Sequence, residues 1–592
     1  VPTMHERKSS RWESDRMAYF LALATDYDGT IAHDGVLDGA TVTALETLKQ
    51  AGRRLIMVTG RELPDLERVC PRLDLFDRVV AENGALLYTP ATKDKRPLGP
   101  PPPPEFVERL RSLSIQPLSV GEVIVATWEP NEGAVLEAIR DLGLDLQIIF
   151  NKGAVMVLPS GINKASGLGA ALEDLGLSAH NVVATGDAEN DLAFMRTCGC
   201  AVAVGNALPA VKDAADVVTA AARGAGVAEV IATWLSDEAA LIDAAILRHS
   251  VRIGETPGDK RDILLRPDRG SVLITGTSGG GKSTLATALL EHLSDAGFQL
   301  CLFDPEGDYG QFGDVVTFGD AKTVVTPEPV LDAVRKLGNN VCVNLLASSV
   351  EDRPQIFASL FPPVLDIHAK YGRPHWVLVD EAHHMLPRTE DAGDGLNLRE
   401  HIPAIFVTVH PDTLAKQVLR NIGIVLCIGR DSAGLIDSLS KVLGRPCPPM
   451  PDRTPDRGEA YYWECRTDNP PLLVRVDQPR NAMKRHTRKY AEGTLGEDRS
   501  FFFRGQHAAL NLRAQNLMLF LQIGEGVDEE TYRHHLQHAD FSTWMRSSIK
   551  DGDLADEVAG IEAHEGIAIP EARKLIRTAI EQRYTAPAEP AG

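Results

Sequence analysis

Residues 273–284 read LITGTSGGGKST: an apolar run, a glycine-rich loop, then Lys-Ser-Thr leading into a helix-compatible stretch. No other segment restricts the architecture as much, because such a loop works between a strand and the helix that follows it, the opening unit of a parallel α/β sheet. Its glycines let backbone amides face the β-phosphate oxygens of a nucleotide, while Lys282 reaches the β and γ groups and Ser283 ligates Mg²⁺. The candidate ATP cradle is therefore Gly276, Thr277, Ser278, Gly279, Gly280, Gly281, Lys282, Ser283 and Thr284. A flexible glycine turn is the competing reading.

Residues 376–384, WVLVDEAHH, form a second apolar strand that ends in adjacent acids. Asp380 is placed to organise Mg²⁺ through water and Glu381 to polarise an attacking water. Helix capping competes for Asp380, and the two roles are compatible. A carboxylate directly after the metal aspartate favours ATP hydrolysis over a small-molecule kinase. His383 and His384 suggest a metal, but no third ligand is near them in the sequence.

The chain has 592 residues, more than one hydrophobic core usually supports, so two to four domains are expected. With 44% hydrophobic and 24% charged residues it falls in the ordinary globular range. No apolar run approaches the roughly 18 residues that cross a bilayer, so no membrane partner is expected. A formal charge of −21 opposes non-specific adhesion to polyanions, so a nucleic-acid partner must meet a local basic patch. Eight scattered cysteines without paired spacing suit a reducing cytoplasm. Val1 reads as a literal translation of an alternative start codon, with Met4 or Met17 as the true beginning.

An α/β rhythm opens the chain: strand 20–25, helix 38–51, strand 54–58. A polyproline run at 100–104 marks an extended surface connection over 89–104, after which 105–158 reads as a small inserted α/β unit with strands at 123–128 and 146–150. The parallel pattern resumes at 182–184, and a helix at 237–248 connects to the second series. The expected strands of that series are 272–275, 299–303, 341–345, 376–379 and 404–409. Helices are expected over 510–523, 529–538, 542–550 and 571–584. The resulting division is a polar leader 1–17, a first core 18–85 and 157–236, an inserted cap 86–156, a linker 237–268, a nucleotide-binding α/β domain 269–490 and an all-helical region 491–592.

A second chemical site lies in ALATDYDGT, residues 22–30. Positions two apart share a strand face, so Asp26 and Asp28 can both point into one pocket, where mutual repulsion makes a divalent cation their natural partner, a solvated turn being the competing reading of the pair alone. MVTGR at 57–61 offers Thr59, Gly60 and backbone amides to a phosphate oxygen. Lys164 in GINKASGL offers an ammonium to the nucleophile and phosphate, and VVATGDAEND at 182–191 supplies Asp187 and Asp191 for a metal.

The phrases DYDGT, VTGR, ENGA at 82–85 and GDAEND together resemble the haloacid dehalogenase superfamily, specifically its Cof-type phosphatases, over about residues 19–235. The resemblance implies a Rossmann-like core with an inserted α/β cap and a two-step phosphomonoester hydrolysis. Asp26 would form an aspartyl-phosphate, and Asp28 would protonate the leaving alkoxide and then activate water. It further implies Mg²⁺ held by Asp26, the main-chain carbonyl of Asp28, and Asp187, with Asn190 and Asp191 completing the motif. Asp28 favours a phosphatase over the superfamily's ion pumps. The insert would be a lid containing Arg109, Trp128, Glu129 and Lys152, with Trp128 expected in its core. Sugar phosphates are the commonest substrates the resemblance suggests, ahead of small phospho-acids and nucleotide-derived phosphates.

FDPEGDY at 303–309, taken with the glycine loop and VLVDEAHH, resembles the HerA and FtsK type of RecA-like ATPases over about 253–492. That resemblance implies ATP binding and hydrolysis in a homo-oligomer, commonly a hexameric ring that moves DNA or protein. His410 occupies the γ-phosphate-sensing position, where glutamine is frequent. Arg420 and Arg430 are candidates for an arginine finger, and the basic residues Arg480, Lys484, Arg485, Arg488 and Lys489 are candidates for nucleic-acid contact. An alternative reading is an ATP-gated assembly in which the phosphatase-like domain serves as effector or sensor. The aromatic residues Phe501, Phe502, Phe503, Tyr532 and Trp544 are expected in the core of the last region.

Overall fold

The computed structural model describes residues 18–277, 280–310, 312–320, 322–388, 403–429, 431–480, 495, 497–505, 510–549, 551–564 and 566–584. The leader 1–17, Ser278, Gly279, Arg430, the basic residues 484–489 and the end of the chain from 585 lie outside the described residues.

The first lobe is built on an eight-stranded sheet. Ala22–Thr25, an unbroken buried run of the kind that parallel sheets require, lies between Val182–Gly186 and Arg54–Val58 and is parallel to both. Cys200–Ala203 and Val217–Val218 extend the sheet on one side and Arg78–Ala81 on the other, all parallel. The helix Gly39–Gln50 starts where Asp38 accepts a hydrogen bond from the Thr41 backbone N–H at 2.7 Å.

The expected cap boundary at residue 86 is corrected by this sheet. Leu86–Thr89 and Asp94–Pro97 form an antiparallel hairpin on the edge strand Arg78–Ala81, so the core runs through Pro97 and the surface connection is shorter than expected. The cap that follows is a four-stranded antiparallel sheet in the order Leu146–Asn151, Ala154–Pro159, Val125–Trp128, Ser119–Val120. Helices Pro104–Ser112 and Glu132–Asp141 bury Phe106, Leu110, Val135 and Ile139 against Val125 and Val157. The alternation of strand side chains leaves Ala126, Trp128 and Met156 on the opposite face, toward the core. Trp128 is 52% exposed there, which corrects its expected place in the cap interior.

The expected linker 237–268 is also corrected. After helices Glu238–Ala244 and Ile246–His249, the strands Val251–Glu255 and Asp262–Leu265 join the second lobe's sheet as its antiparallel edge. That sheet has eleven strands, and seven of them are parallel: Ile422–Ile428, Ser271–Gly276, Ala404–Thr408, Trp376–Val379, Leu300–Asp304, Asn340–Asn344 and Val315–Phe318. The glycine-loop strand and the strand ending in Asp380 are thus separated by one strand.

The two α/β lobes meet through Arg373, which is buried. Its guanidinium donates to the Gly176 carbonyl of the first lobe at 2.9 Å and to the Val334 and Arg335 carbonyls of the second at 3.2 and 2.6 Å. Beside it the His180 ring stacks on Phe298 with centroids 4.3 Å apart.

The last region is helical with one hairpin. Residues 512–514, expected in a helix, instead pair as Leu512–Ala514 with Phe501–Phe503. The helix begins at Leu517, where Asn516 accepts from the Leu519 backbone N–H. Phe501, Phe503, Tyr532 and Trp544 are buried together, and Phe502 is half-buried beneath Arg504.

Candidate active sites

Three adjacent parallel strands of the first lobe deliver their next residues to one edge: Asp26 after Ala22–Thr25, Thr59 after Arg54–Val58 and Asp187 after Val182–Gly186. Ligand sites form at this carboxyl edge because the loops diverge there. Gly29 has φ +87, and a Cβ at that position would lie 2.4 Å from an Asp187 carboxylate oxygen, so the turn after Asp28 requires glycine. Gly84, at φ +108, has the same requirement: a Cβ would meet the Asn163 carbonyl at 1.9 Å. The ENGA turn therefore packs directly under the start of helix Lys164–Leu175, which sets the position of Lys164.

Lys164 is 1% exposed, and its ammonium donates to Asp26 Oδ1 and to Asp191 Oδ1, each at 2.6 Å. Burial pulls the ammonium toward neutrality, but the two carboxylates outweigh it and hold it protonated. Burial and the nearby Asp191 push the Asp26 carboxyl upward, and Lys164 pulls it back. Asp191 Oδ2 accepts the backbone N–H groups of Asp187 and Ala188, each at 2.9 Å, so this acid shapes the loop as well as pairing with the lysine.

Arg61 grips Asp28 with two hydrogen bonds of 2.6 and 2.8 Å and also pairs with Asp65. This bidentate contact holds the half-exposed Asp28 carboxylate on Arg61, outside the close group of Asp26, Asp187 and Asp191, so the two strand-end acids do not share one cluster. The VTGR phrase contains the arginine, but its partner was not legible there. The Thr59 backbone N–H is committed to the Val80 carbonyl at 2.8 Å, and its hydroxyl accepts from the Arg61 N–H at 3.2 Å. Asn190 donates to Asn83 Oδ1 at 3.0 Å, which brings the ENGA and GDAEND motifs into contact near Gly60.

The cap closes on this edge. Glu82, buried, accepts the backbone N–H groups of Glu122, Val123 and Ile124 at 2.9–3.0 Å and ties the cap to the core. Lys152, in the turn between two cap strands, reaches Asp187 Oδ2 at 2.8 Å and the Asp28 carbonyl at 3.4 Å. Arg109 faces Asp141 within the cap instead.

The sequence implies a magnesium ion, and the donors fit one. Among the described residues, the one group of side chains gathered closely enough to hold a metal is Asp26, Asp187 and Asp191, with ligand atoms all within 4.8 Å of one another. The Lys152 ammonium on Asp187 and on the Asp28 carbonyl shows that this corner accommodates positive charge. Asp191 already accepts from Lys164 and two amides, so Asp26, Asp187 and the Asp28 carbonyl are the better-placed donors.

In the second lobe the loop after Ser271–Gly276 passes through Gly281, at φ +99, into helix Lys282–Asp295. Lys282 donates to the Gly276 and Thr277 carbonyls at 3.2 and 2.9 Å, and Ser283 and Thr284 sit half-buried in the first turn. Asp380 follows the strand Trp376–Val379, and its Oδ1 accepts the Glu381 backbone N–H at 2.9 Å. Burial, then the carboxylates of Glu381, Asp304 and Asp308, push Asp380 well above the usual range. Asp304 accepts four backbone N–H groups from Glu306 to Tyr309, and burial still raises it to about 6.

Thr408 accepts the His410 backbone N–H at 3.0 Å, and its hydroxyl lies 3.0 Å from His383 Nδ1. His383 in turn is 3.5 Å from Glu381. His410 is therefore brought to the acids through Thr408 and His383. Arg420 is exposed, with its carbonyl bonded to Arg466. Arg480 is bound to Glu291 and Asp295 on the glycine-loop helix.

Residues 23–99 and 133–231 match the family model described as haloacid dehalogenase-like hydrolase. Residues 251–362 match the central domain of helicase HerA. A phosphoglycolate phosphatase of Methanothermobacter thermautotrophicus is 34% identical over 222 residues, 36% of this chain and 98% of the relative. One from Haloarcula marismortui is 31% identical over 222 residues, 36% of this chain and 96% of its own length. A solved haloacid dehalogenase-like hydrolase from Bacteroides thetaiotaomicron is similar at 22% identity with a TM-score of 0.32, covering 36% of this chain and 98% of that structure.

Proposed function

The chain belongs to the haloacid dehalogenase-like hydrolases and carries a HerA-type ATPase domain behind that fold, and from this premise we propose that its first lobe is a Mg²⁺-dependent phosphatase for a small phosphorylated acid and its second lobe binds and hydrolyses ATP. The observation that carries the first part is Lys164, held between Asp26 and Asp191 at the carboxyl edge of the sheet. A phosphate dianion repels a carboxylate nucleophile, and a buried ammonium on that nucleophile lowers the repulsion.

In the first step an Asp26 oxygen bonds to phosphorus, the ester P–O bond breaks, and the Asp28 carboxyl gives its proton to the departing alkoxide. In the second, Asp28 takes a proton from water as the water oxygen attacks phosphorus, releasing inorganic phosphate and restoring Asp26. Arg61 holds both Asp28 oxygens as a carboxylate in the resting site, so Asp28 carries its proton only once the incoming substrate draws it off Arg61. Mg²⁺, held by Asp26, the Asp28 carbonyl and Asp187, would supply charge neutralisation at the phosphoryl oxygens. Thr59, Gly60 and Asn190 surround the phosphate in this reading. That the similar proteins are phosphoglycolate phosphatases favours a small phospho-acid over the sugar phosphate expected from sequence.

In the second lobe Lys282 and Ser283 serve the nucleotide phosphates, Asp380 the metal and Glu381 the water, with His410 as sensor. A homo-oligomeric ring, with Arg420 or Arg430 reaching a neighbour and the basic stretch meeting nucleic acid, belongs to the same proposal. So does a cytoplasmic setting, supported by eight free cysteines. No helix among the described residues is long and apolar enough to cross a membrane.

The test is phosphate release from phosphoglycolate with and without Mg²⁺, in the wild type and Asp26→Asn, alongside ATP hydrolysis in the wild type and Lys282→Ala. We expect Mg²⁺-dependent release that Asp26→Asn abolishes. Release by Asp26→Asn at the wild-type rate refutes the nucleophile, and wild-type inactivity on every ester tried refutes the phosphatase.

A further inference from the structure

We infer that Lys152 is the residue by which this chain selects substrates carrying a carboxylate next to the phosphorylated carbon, an inference that rests on the phosphatase reading and names its substrate class. Lys152 and Gly153 have φ +49 and +87 and form the two-residue turn between Leu146–Asn151 and Ala154–Pro159. Both central residues at positive φ is the tight hairpin geometry that matches strand twist, so the lysine projects from a stiff support.

The turn aims the side chain out of the cap. Lys152 Nζ lies 2.8 Å from Asp187 Oδ2 and 3.4 Å from the Asp28 carbonyl, and the side chain is 46% exposed, so the ammonium sits at the mouth of the site. The cap's Arg109 and Arg140 face Asp141 instead. Trp128 lies against the same turn, 3.7 Å from where a Cβ on Gly153 would be. A cation presented from the lid, beside but separate from the Lys164 that serves the nucleophile, suits a second negative charge on the substrate.

Two further observations limit what that substrate can be. Met156 on the cap's core-facing strand puts its sulfur 3.6 Å from the Cβ position of Gly60, so little height remains between lid and floor. Around this seam three buried side-chain atoms have no hydrogen-bond partner: Asn83 Nδ2, Asn190 Oδ1 and Asn151 Oδ1. Asn190 and Asn83 bond to each other through their remaining atoms, and Asn151 immediately precedes Lys152. Buried polar atoms of this kind cost stability unless something meets them, and a short polar acid brings both acceptors and, when hydroxylated, a donor. Space and charge agree on a phosphorylated acid of two or three carbons, its oxygens able to meet Asn83 Nδ2, and the two unmet amide oxygens favour an acid that also carries a hydroxyl.

The experiment uses the full chain with Mg²⁺ in an Asp26→Asn background, where substrate survives. Calorimetry compares phosphoglycolate with ethyl phosphate, which keeps the phosphate and lacks the carboxylate. We expect Lys152→Met to reduce the preference for phosphoglycolate over ethyl phosphate by about tenfold or more, and Lys152→Arg to retain most of it. Lys152 also competes with a divalent cation for Asp187, so Mg²⁺ titration without substrate should show Lys152→Met binding the ion at least as tightly as its parent. An equal weakening of both ligands, an unchanged preference, or a loss of Mg²⁺ binding in Lys152→Met overturns the inference. The reading beneath it fails separately: wild-type turnover of ethyl phosphate and phosphoglycolate at equal efficiency leaves a phosphatase without this selectivity, and carboxylate-dependent binding without any turnover leaves the lysine without a phosphatase.

Discussion

The two candidate active sites stand at equivalent places, each at the carboxyl edge of a central parallel strand, yet they handle buried acids in opposite ways. In the first lobe four edge acids meet basic side chains, Asp26 and Asp191 sharing Lys164, Asp187 meeting Lys152 and Asp28 meeting Arg61, while Glu82 takes three cap amides. In the second, Asp380 is crowded by Glu381, Asp304 and Asp308 and is pushed well upward, while Lys282 bonds to carbonyls of its own loop. A site that carries its own cations stands assembled around the position of a dianion. In the second site a cation bound beside Asp380 would relieve the crowding of its acids.

Separate substitutions should divide the two activities most sharply. Asp26→Asn is expected to lower ester hydrolysis by on the order of 10⁴-fold while ATP hydrolysis persists, and Lys282→Ala to do the reverse. Phosphate release from each substrate in both variants measures it, and parallel loss of both activities would erase the distinction between the sites.

Next in size is the cost of removing the shared cation. Lys164→Met leaves Asp26 and Asp191 buried without it and should destabilise the first lobe by about 3–5 kcal/mol, read as an earlier transition in scanning calorimetry. A transition at the wild-type temperature would mean that the carboxylates are countered by something other than Lys164.

The second lobe should show its strain as a pH dependence. Asp304 has its carboxyl raised by burial from 3.8 to about 6, so the folded state binds a proton that the unfolded state has released between those values. Stability from this group is therefore present below about pH 4 and lost as pH rises through about 6, a change of about 3 kcal/mol. The unfolding free energy of the wild type, taken from urea titrations, should fall by that amount relative to Asp304→Asn across the window. A constant gap between the two would show the carboxyl ionised throughout.

Glu82→Gln is the smallest of these changes. It weakens a carboxylate's hold on three cap amides and should cost about 1–2 kcal/mol, detected as faster hydrogen exchange at residues 122–124 with the core sheet unaffected. Unchanged exchange there would place the cap's attachment elsewhere.

Much of this architecture is written locally. The strands at 54–58 and 376–379 coincide with expectation because short apolar runs between turn signals leave few alternatives. The hairpin at 86–97 and the edge strands at 251–265 depart from expectation for the converse reason: they are short and partly polar, and their identity comes from the sheet edge that receives them. Residues 512–514 went to a strand because Phe501–Phe503 offered a partner and Asn516 capped the helix after them. In the first site Asp26, Lys164, Asp187 and Asp191 come together, while the Arg61 hold on Asp28, the Asn83 contact and the aim of Lys152 are set by partners distant in the chain.

The amino-acid order alone determined which residues stand at the end of each strand, since spacings of one to five residues are fixed by backbone geometry. Folding alone decided the pairings. Lys164 finds Asp26 across 138 residues, Lys152 finds Asp187 across 35, and Arg373 finds Gly176 across 197. No local periodicity records such contacts, because they depend on how sheets and the cap close over intervening chain and on the requirement that each buried charge end beside a countercharge or a hydrogen-bond acceptor.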